Sequence, residues 1–253
     1  MISLKSKREI EIMREGGKIL AEVLRYLGGY VKPGIRTIDI DEKAAALIKE
    51  RGAEAAFKGY RGYPANICAS VNEEVVHGIP SERELEEGDI LSVDIGVKYK
   101  NYFVDAARSW PIGTVSPLAE KMIKVAEASL YKAALPHLTA GKRLGDVSSA
   151  IQKYVESQGF NVVRDFVGHG IGQSIHEEPQ VPNFGRPDRG MKLESGLVLA
   201  VEPMVTEGGY EVAILDNGWT VVTCDGKLAS HHEDTVVVNE GMPEILTAWE
   251  KEI

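Results

Sequence analysis

Apolar residues recur at helical spacing in four stretches of the chain. The first stretch starts after Ser6 and is predicted to end at the Gly28-Gly29 pair, because glycine commonly ends helices. The second starts after Thr37, a residue type that favours helix N-termini. The four predicted helices lie within residues 6–29, 37–52, 117–138 and 144–158. Two helices therefore open the first half of the chain, and two more open the second.

Two short apolar or β-branched runs, joined by a polar tetrapeptide, predict a β-hairpin within residues 85–108. The register in which Val97 pairs with Tyr102 places Asp94 directly opposite Asp105. Like charges in that position are destabilising, so a cation must lie between them. A lysine, an arginine or a divalent metal ion would serve. A slip of one residue would instead turn one aspartate to solvent.

Three further apolar runs predict strands at residues 66–71, 161–167 and 235–238. A glycine-rich segment follows the second run and contains His169. It lacks the Gly-Lys-Ser/Thr ending of a phosphate loop, so the signal for phosphate binding is weak. The glycines on either side of His169 are expected to let the backbone approach whatever the histidine binds.

An internal repeat relates the two halves of the chain at an offset of 108 residues. The segment LEEGDILSVDIGV, from Leu85, aligns with LESGLVLAVEPMV, from Leu193, and Asp94 aligns with Glu202. The order helix, helix, strand precedes both copies. We therefore expect one catalytic domain built from two similar halves, residues 1–112 and 113–253, each contributing a buried carboxylate to a central site.

Composition narrows the class of protein. The 253 residues are 43% hydrophobic and carry a net charge of −9, which argues against a nucleic-acid surface. The first residues are charged throughout, unlike a signal peptide, and no segment has the apolar length of a membrane span. The sequence therefore predicts a cytoplasmic protein without a membrane segment. Cys68 and Cys224 form no motif and are expected to be reduced, buried thiols.

Some polar and aromatic residues allow two interpretations. The aromatic residues of segment 57–64 either wall a pocket or simply pack, and packing is the commoner case. His77 lies among apolar residues, where a single histidine is usually part of the core. The polar cluster 230–234 is either the solvated start of a strand or a segment that turns Glu233 inward.

Five residues form a candidate metal-binding set that is rich in oxygen and contains one imidazole. They are Asp94, Asp105, His169, Glu202 and Glu233. This chemistry suits Mn²⁺, Fe²⁺, Co²⁺ or Zn²⁺. Two divalent ions would neutralise the four carboxylates, whereas one would leave half of the charge uncompensated. Two ions about 3.5–4 Å apart form a hydrolytic centre that activates water near neutral pH.

The sequence resembles the type I methionine aminopeptidases of peptidase family M24 over nearly its whole length. The resemblance rests on four segments: GYRGYPANICASVNEEVVHGIP, the hairpin with GDILSVDIGV and DAARSW, GHGIGQSIHEEPQVPN, and AVEPM with the later HED. It implies an α/β (α+β) pita-bread fold, in which two pseudo-symmetric halves surround a central curved antiparallel sheet that is covered by helices.

The resemblance also implies roles for individual residues. The five residues of the metal-binding set match the family's ligands to two divalent ions (Co, Mn, Fe or Zn), and Glu202 matches its proton shuttle. His77 and His176 match two catalytic histidines beside the substrate. The family's methionine pocket maps onto Phe57, Tyr60, Tyr63, Cys68, Ile175 and Trp219.

The implied reaction is removal of the initiator methionine from nascent polypeptides, at the ribosome, when the second residue is small. A metal-bound hydroxide attacks the first peptide carbonyl, His176 stabilises the developing charge, and Glu202 passes a proton to the leaving nitrogen. The implied protein is a monomer with no nucleic-acid motif.

The sequence departs from the family pattern at a few positions. Phe57, Arg61, Ile175 and the His231-His232 pair replace residues that are common in relatives, which concerns the shape of the pocket and the strictness of methionine selection. Two alternatives remain: a hydrolase of the same fold that acts next to proline, and a binding module that has lost catalysis. The former usually has an added N-terminal domain, and the complete ligand set argues against the latter.

Overall fold

The computed structural model describes residues 2–248. Its helices agree with the predicted number and order. They are α1 (Lys7–Tyr30), α2 (Thr37–Glu50), α3 (Pro117–Ala128) and α4 (Leu144–Ser157). None of these helices combines the length and the apolar character needed to cross a membrane within the described residues.

Helix α1 begins where the sequence predicts and ends later. Ser6 and Glu9 form a capping box, in which the Glu9 carboxylate accepts a hydrogen bond from the Ser6 backbone N–H at 2.7 Å. The predicted end at Gly28-Gly29 is wrong, because the helix continues to Tyr30. A Cβ at Gly28 would lie 3.1 Å from the Trp110 ring, so glycine here permits close packing rather than ending the helix.

The predicted helix over residues 117–138 is interrupted. Helix α3 stops at Ala128 and is followed by a π-helical turn, Ser129–Ala134, and a 3-10 turn, Leu135–His137. Pro136 cannot donate the backbone hydrogen bond that a continuing α-helix requires. The proline therefore removes only the bond to the carbonyl of residue 132, and nothing in the structure explains the earlier end of α3 at Ala128.

The first half of the chain contributes five strands. They are β1 (Glu54–Ala55), β2 (Cys68–Val71), β3 (Glu74–Val76), β4 (Ile90–Tyr99) and β5 (Tyr102–Pro111). Strand β4 is central, because it pairs antiparallel with β1, β2 and β5. The predicted strand over residues 66–71 is therefore confirmed from Cys68 onward.

The hairpin of β4 and β5 exists, but its predicted register is wrong. The loop has only two residues, Lys100 and Asn101, with φ of 46° and 66°, as in a type I′ turn, whose twist matches that of the strands. Asp105 consequently pairs with Gly96, and Asp94 pairs with Ala107. Because the shift from the predicted register is two residues, both aspartates remain on one face of the sheet, as diagonal neighbours.

The second half of the chain contributes ten described strands. They are β6 (Asn161–Val162), β7 (Gly168–Gly170), β8 (Glu177–Val181), β9 (Val198–Val201), β10 (Met204–Thr206), β11 (Val212–Ile214), β12 (Val221–Thr223), β13 (Ala229–His231), β14 (Asp234–Val237) and β15 (Glu244–Ile245). The largest sheet of this half has the order β15-β14-β9-β7-β8, and two three-stranded sheets have the orders β13-β10-β6 and β11-β12-β3.

The strand predicted over residues 161–167 is wrong beyond its first residues. Only Asn161 and Val162 pair with β10, and β10 itself begins at Met204. Residues 202 and 203, between β9 and β10, belong to no strand, and residues 164–167 pair with none. The last predicted strand, residues 235–238, is confirmed as β14 with a shift of one residue.

Helices cover one face of each large sheet. Alternate residues of β4 pack against α1 and α2, and residues of β9 and β14 pack against α3 and α4. They are Leu91, Val93, Ile95 and Val97 on β4, with Leu199, Val201 and Val236 on the other sheet. Side chains alternate along a strand, so Asp94 on β4 points away from the helices, toward the interior between the sheets.

Candidate metal centre and substrate pocket

The structure brings the five predicted ligands together, although they come from five places in the chain. Asp94 lies on β4, Asp105 on β5, His169 on β7, Glu202 directly after β9 and Glu233 directly before β14. Together they line one cavity. Glu202 follows β9 at the position that the repeat aligned with Asp94.

Backbone contacts fix the geometry of this cluster. Glu233 and Ala107 exchange two backbone hydrogen bonds of 3.0 and 3.2 Å, which join the start of β14 to β5. The Asp105 N–H donates to the Thr235 hydroxyl at 2.9 Å, and that hydroxyl donates to the Asp105 carbonyl at 2.8 Å. These contacts hold Asp105 and Glu233 side by side on two different sheets.

The cluster contains two groups of three residues whose donor atoms lie within 4.8 Å of one another. One group is Asp105, His169 and Glu233, and the other is Asp94, His231 and Glu233. Glu233 belongs to both, as a bridging ligand would. One oxygen of each of Asp94, Asp105 and Glu233 is buried and has no hydrogen-bond partner among residues 2–248. Buried acceptors without partners are costly, and a cation would satisfy them.

Burial shifts the pKa of every carboxyl group in the cluster upward. Loss of hydration raises the pKa of Asp94 to about 7 and raises the pKa values of Asp105, Glu202 and Glu233 well above their usual range, and neighbouring carboxylates add to the last three. Without a cation, the protein therefore favours protonated acids. A divalent metal ion would supply positive charge, so the donor set fits divalent metals.

His169 is held in the form that binds metals. Burial lowers its pKa to about 3, so the imidazole is neutral. Its Nδ1–H donates to the Gly170 carbonyl at 2.9 Å, which leaves the Nε2 lone pair facing the carboxylates, 3.6 Å from Glu202 Oε1. A backbone acceptor on one ring nitrogen is how proteins usually orient a histidine ligand.

Beside the acids, the same cavity is lined by aromatic and apolar side chains. The lining includes Phe57, Tyr60, Tyr63, Cys68 and Trp219, as predicted for the pocket. The predicted pocket residue Ile175 is not among the lining residues. It packs behind the wall, with Phe57, Tyr63, Ala65 and Cys68. The cavity thus joins an apolar pocket to a cluster of acids.

The two predicted catalytic histidines stand at the edge of the cavity. The ring of His176 stacks on Tyr60 at 5.2 Å, and its Nδ1 is hydrogen-bonded to the Tyr60 hydroxyl at 3.0 Å. His77 contacts Trp219 edge to face. Burial lowers the pKa of His77 to about 4, while burial and then Arg61 lower the pKa of His176. Both rings are therefore neutral near pH 7.

Comparison with known proteins agrees with this geometry. The sequence profile of metallopeptidase family M24 matches residues 11–240. A methionine aminopeptidase from Clostridium perfringens is 52% identical over 247 residues, which cover 98% of this chain and 99% of that protein. The crystal structure of methionine aminopeptidase from Thermotoga maritima is 44% identical in sequence and superposes with a TM-score of 0.96. The match covers 98% of this chain and 100% of that chain.

The chain belongs to metallopeptidase family M24, among the methionine aminopeptidases. The resemblance read from the sequence and the pita-bread fold are both confirmed. A prolidase from Pyrococcus furiosus has the same fold, with a TM-score of 0.79 at 22% identity, and this chain covers 66% of it. Identity at that level shows the fold alone.

Within this M24 chain, the segment before β14 differs most from expectation. Of the two interpretations of residues 230–234, the one in which Glu233 turns inward is confirmed, and the solvated start of a strand is wrong, because all five residues are at most 5% exposed. The His231 ring lies next to the carboxylates of the metal-binding set, and its Nε2 atom is 3.8 Å from Glu233 Oε2. The sequence held a signal for this position. Residues two apart in an extended chain point to the same side, so His231 shares the orientation of Glu233.

Asp234 is an acid of the same segment that does not join the metal-binding set. Its carboxylate accepts hydrogen bonds from Arg108 at 2.9 Å, from the Thr247 hydroxyl at 2.6 Å and from the Tyr131 hydroxyl at 2.8 Å. This buried acid is therefore neutralised by protein groups, in contrast to the four acids of the cluster.

Two further expectations about this M24 chain need correction. Cys68 is buried and has a raised pKa, because of burial and then of Asp94, but Cys224 is exposed rather than buried. The glycines beside His169 serve the sheet rather than a ligand. A Cβ at Gly168 would lie 2.4 Å from the Ala200 carbonyl oxygen, so glycine lets β7 pack against its neighbour.

Proposed function

We propose that this chain removes the N-terminal methionine from polypeptides whose second residue is small, with two divalent metal ions as cofactors. The observation that carries the proposal is the cavity itself, in which an apolar, aromatic pocket ends at a buried cluster of four carboxylates and a neutral His169. The 52% identity to a methionine aminopeptidase supports the same conclusion.

The metal ions would be held by the five predicted ligands. They are Asp94, Asp105, His169, Glu202 and Glu233. When bound, two divalent ions lower the pKa of water and polarise the substrate carbonyl. Co, Mn, Fe and Zn all suit this set of ligands. The remaining steps depend on the chain's own residues.

Glu202 is suited to carry the proton. It belongs to the cluster, yet its side chain is 12% exposed toward the cavity, more than that of Glu233 at 2%. A carboxylate at this position takes a proton from the attacking water and delivers it to the nitrogen of the departing peptide. Glu202 directly follows β9, so the strand limits the movement of its backbone.

His176 and His77 act on the two ends of the scissile bond. With the Tyr60 hydroxyl donating to His176 Nδ1, Nε2–H is left to donate to the oxygen on which negative charge develops. His77, on the Trp219 side of the cavity, contacts the leaving peptide nitrogen. Neutral imidazoles can do both, because each keeps one donor and one acceptor.

The apolar part of the cavity would hold the methionine side chain. A flexible thioether packs well against aromatic rings and the Cys68 sulfur. Tyr63 stiffens this wall, because its hydroxyl donates hydrogen bonds to the Ile67 and Gly78 carbonyls at 3.1 and 3.0 Å. Ile175 contributes from behind by supporting Phe57.

Further parts of the proposal follow from the family rather than from the geometry. We infer that the substrates are nascent polypeptides at the ribosome, in the cytoplasm, and that the chain acts as a monomer. The division into halves at residue 112 is likewise a proposal. It is supported by the matching places of Asp94 and Glu202 in the two repeats.

The test is a peptidase assay on protein stripped with a chelator and reloaded with Mn²⁺, Fe²⁺, Co²⁺ or Zn²⁺. We expect release of methionine from Met-Gly-Met, little release from Met-Arg-Met, and no release from the stripped protein. Asp105→Asn should abolish turnover and leave the protein folded by circular dichroism. Cleavage only of a peptide with proline in second position would show a prolidase-like activity instead. Absence of cleavage with every metal would favour a binding module.

A further inference from the structure

The candidate metal centre contains one imidazole, that of His231, which is not among the five predicted ligands. His231 lies on β13, is 1% exposed, and forms a group with Asp94 and Glu233 that mirrors the group of Asp105, His169 and Glu233. Each group contains one aspartate and one histidine, and the groups share Glu233. The arrangement is that of two similar metal positions with one imidazole each.

The Nε2 atom of His231 is buried and has no hydrogen-bond partner anywhere in residues 2–248. It lies 3.8 Å from Glu233 Oε2 and 3.9 Å from Glu202 Oε2. These distances are too long for hydrogen bonds. They suit two ligands of one ion, since donors about 2.1 Å from a metal can be up to about 4.2 Å apart.

The backbone around His231 fixes the direction of the ring. Its N–H donates to the Ser109 hydroxyl at 3.0 Å, and that hydroxyl donates to its carbonyl at 2.8 Å. Strand pairing with Met204 on β10 holds the other edge.

We propose that His231 is an additional ligand, which binds through Nε2 the ion held by Asp94 and Glu233. The proposal rests on the proposed function, because it assumes the dinuclear centre. It gives each ion an imidazole, the second being His169. Nitrogen ligands favour Fe²⁺, Co²⁺ and Zn²⁺ over Mn²⁺, so His231 also shifts the metal preference of the site.

The neighbouring His232 provides a matched control. It is also buried, at 5% exposed, and burial also lowers its pKa. Its ring packs against Tyr131, and its Nε2 lies 3.8 Å from Asp234, the acid that is neutralised by Arg108. His232→Gln therefore removes a buried imidazole from the same segment without touching the cluster.

The experiment measures metal binding rather than turnover. Stripped wild type, His231→Gln, His232→Gln and His169→Gln are titrated with Co²⁺ and Mn²⁺ by calorimetry. The Co²⁺ forms are then examined by NMR for shifted, exchangeable imidazole N–H signals. We expect His231→Gln to lose at least about tenfold in affinity for one Co²⁺, with a smaller loss for Mn²⁺. Wild type and His232→Gln should show two ligated imidazoles, and His231→Gln and His169→Gln should show one each.

A crystal structure of the Co²⁺-loaded wild type makes the test independent of the variants. We expect His231 Nε2 at about 2.0–2.2 Å from one ion. A distance beyond 3 Å, or unchanged Co²⁺ affinity in His231→Gln, overturns the proposal while leaving the dinuclear enzyme intact. Wild type that binds no second Co²⁺ would overturn both this proposal and the two-metal part of the proposed function.

Discussion

Gly96 shows how a single residue shapes the substrate pocket. It pairs with Asp105 on the face of β4 that points to the cavity. A Cβ at this position would lie 2.6 Å from the Phe57 ring and 3.0 Å from Ile175 Cδ1. The missing side chain makes room for the wall of the pocket, so that the methionine site and the metal ligands share one strand.

Gly96→Ala should therefore damage substrate binding more than chemistry. The backbone conformation at Gly96 is not left-handed, so alanine causes no backbone strain there. The added methyl group must, however, push Phe57 and Ile175 into the pocket. Overpacking of this kind costs about 1–3 kcal/mol. We expect KM for Met-Gly-Met to rise about tenfold or more with a smaller change in kcat, measured by steady-state kinetics.

Gly29→Ala is the control for this substitution. Gly29 lies in α1, and an added Cβ would meet no atom within 4 Å. Alanine is the better helix former, so the protein should keep its KM and gain up to about 1 kcal/mol in stability. If both variants have the wild-type KM, Gly96 does not shape the pocket.

At the level of single residues, the sequence identified the acids of the site but missed His231. Acids in apolar strands are conspicuous because their burial needs an explanation. A histidine among polar neighbours is not conspicuous, because the sequence does not show that the segment 230–234 is buried. That burial arises from pairing with β10 and β5, which come from distant parts of the chain.

At the scale of elements, the segment before α1 is tied to the loop that carries His176. Lys5 is buried, and its ammonium contacts Glu177 Oε2 at 2.6 Å. The Lys5 backbone N–H donates to the Gly196 carbonyl at 2.7 Å. The ion pair links the start of the chain to the residue directly after His176, so the N-terminal segment helps to position a predicted catalytic side chain.

Lys5→Met should loosen this loop. Breaking a fully buried ion pair from one side costs about 3–5 kcal/mol, and the 16% exposure of the Glu177 side chain reduces the loss to about 2 kcal/mol. We expect a melting temperature about 4–8 °C lower and faster hydrogen exchange over residues 172–177. Calorimetry and exchange measured by mass spectrometry provide the two readouts.

Two controls separate this effect from general loss of charge. Lys18→Met breaks an exposed pair with Glu15, which solvent screens, and should leave the melting temperature nearly unchanged. Adding Glu177→Gln to Lys5→Met removes the unpaired charge and should recover part of the stability. Unchanged exchange over residues 172–177 in Lys5→Met would contradict the proposed link.

The four helices and the hairpin were predictable in kind and order, and less so in their ends and register, whereas most of the short strands of the second half were not predicted. The hairpin was visible, but only the φ values of Lys100 and Asn101 reveal a two-residue turn. The sequence allowed both loop lengths, because polar residues fill either one. Helix α1 continues past Gly28 and Gly29, and the sequence could not show that Gly28 packs against Trp110, which is a long-range contact.

At the scale of the whole molecule, the buried acids link metal, protons and stability. In the unfolded chain their pKa values are near 4, and in the folded, metal-free protein they are raised, to about 7 for Asp94 and well above their usual range for the others. From about pH 4 up to about pH 7 the folded state therefore holds a proton on Asp94 that the unfolded state has lost, and the raised pKa values of the other acids act in the same direction. Stability must then fall as pH rises.

The melting temperature of the stripped protein should accordingly fall between pH 6.5 and pH 8, as the pH rises through the pKa of Asp94, and the increase in melting temperature on adding Co²⁺ or Mn²⁺ should grow over the same range. The buried histidines do not contribute here, because their lowered pKa values matter only below about pH 6.5. Scanning calorimetry with and without metal measures both slopes.

Asp105→Asn supplies the control for this pH dependence. It removes one of the buried acids whose pKa is raised, so the melting temperature of the stripped variant should fall less between pH 6.5 and pH 8 than that of the stripped wild type. A melting temperature of the stripped wild type that stays constant or rises over this range would show that the acids are already ionised without metal.

The sharing of Glu233 between the two groups of ligands also bears on the synthesis of the protein. Residues 94, 105, 169 and 202 leave the ribosome before residue 233, which lies late in the chain of 253 residues. Neither group is complete until Glu233 has emerged and β14 has joined β5 and β9. A nascent chain therefore has neither complete group of donors until then, so a metal ion that needs either group binds only after residue 233 has emerged.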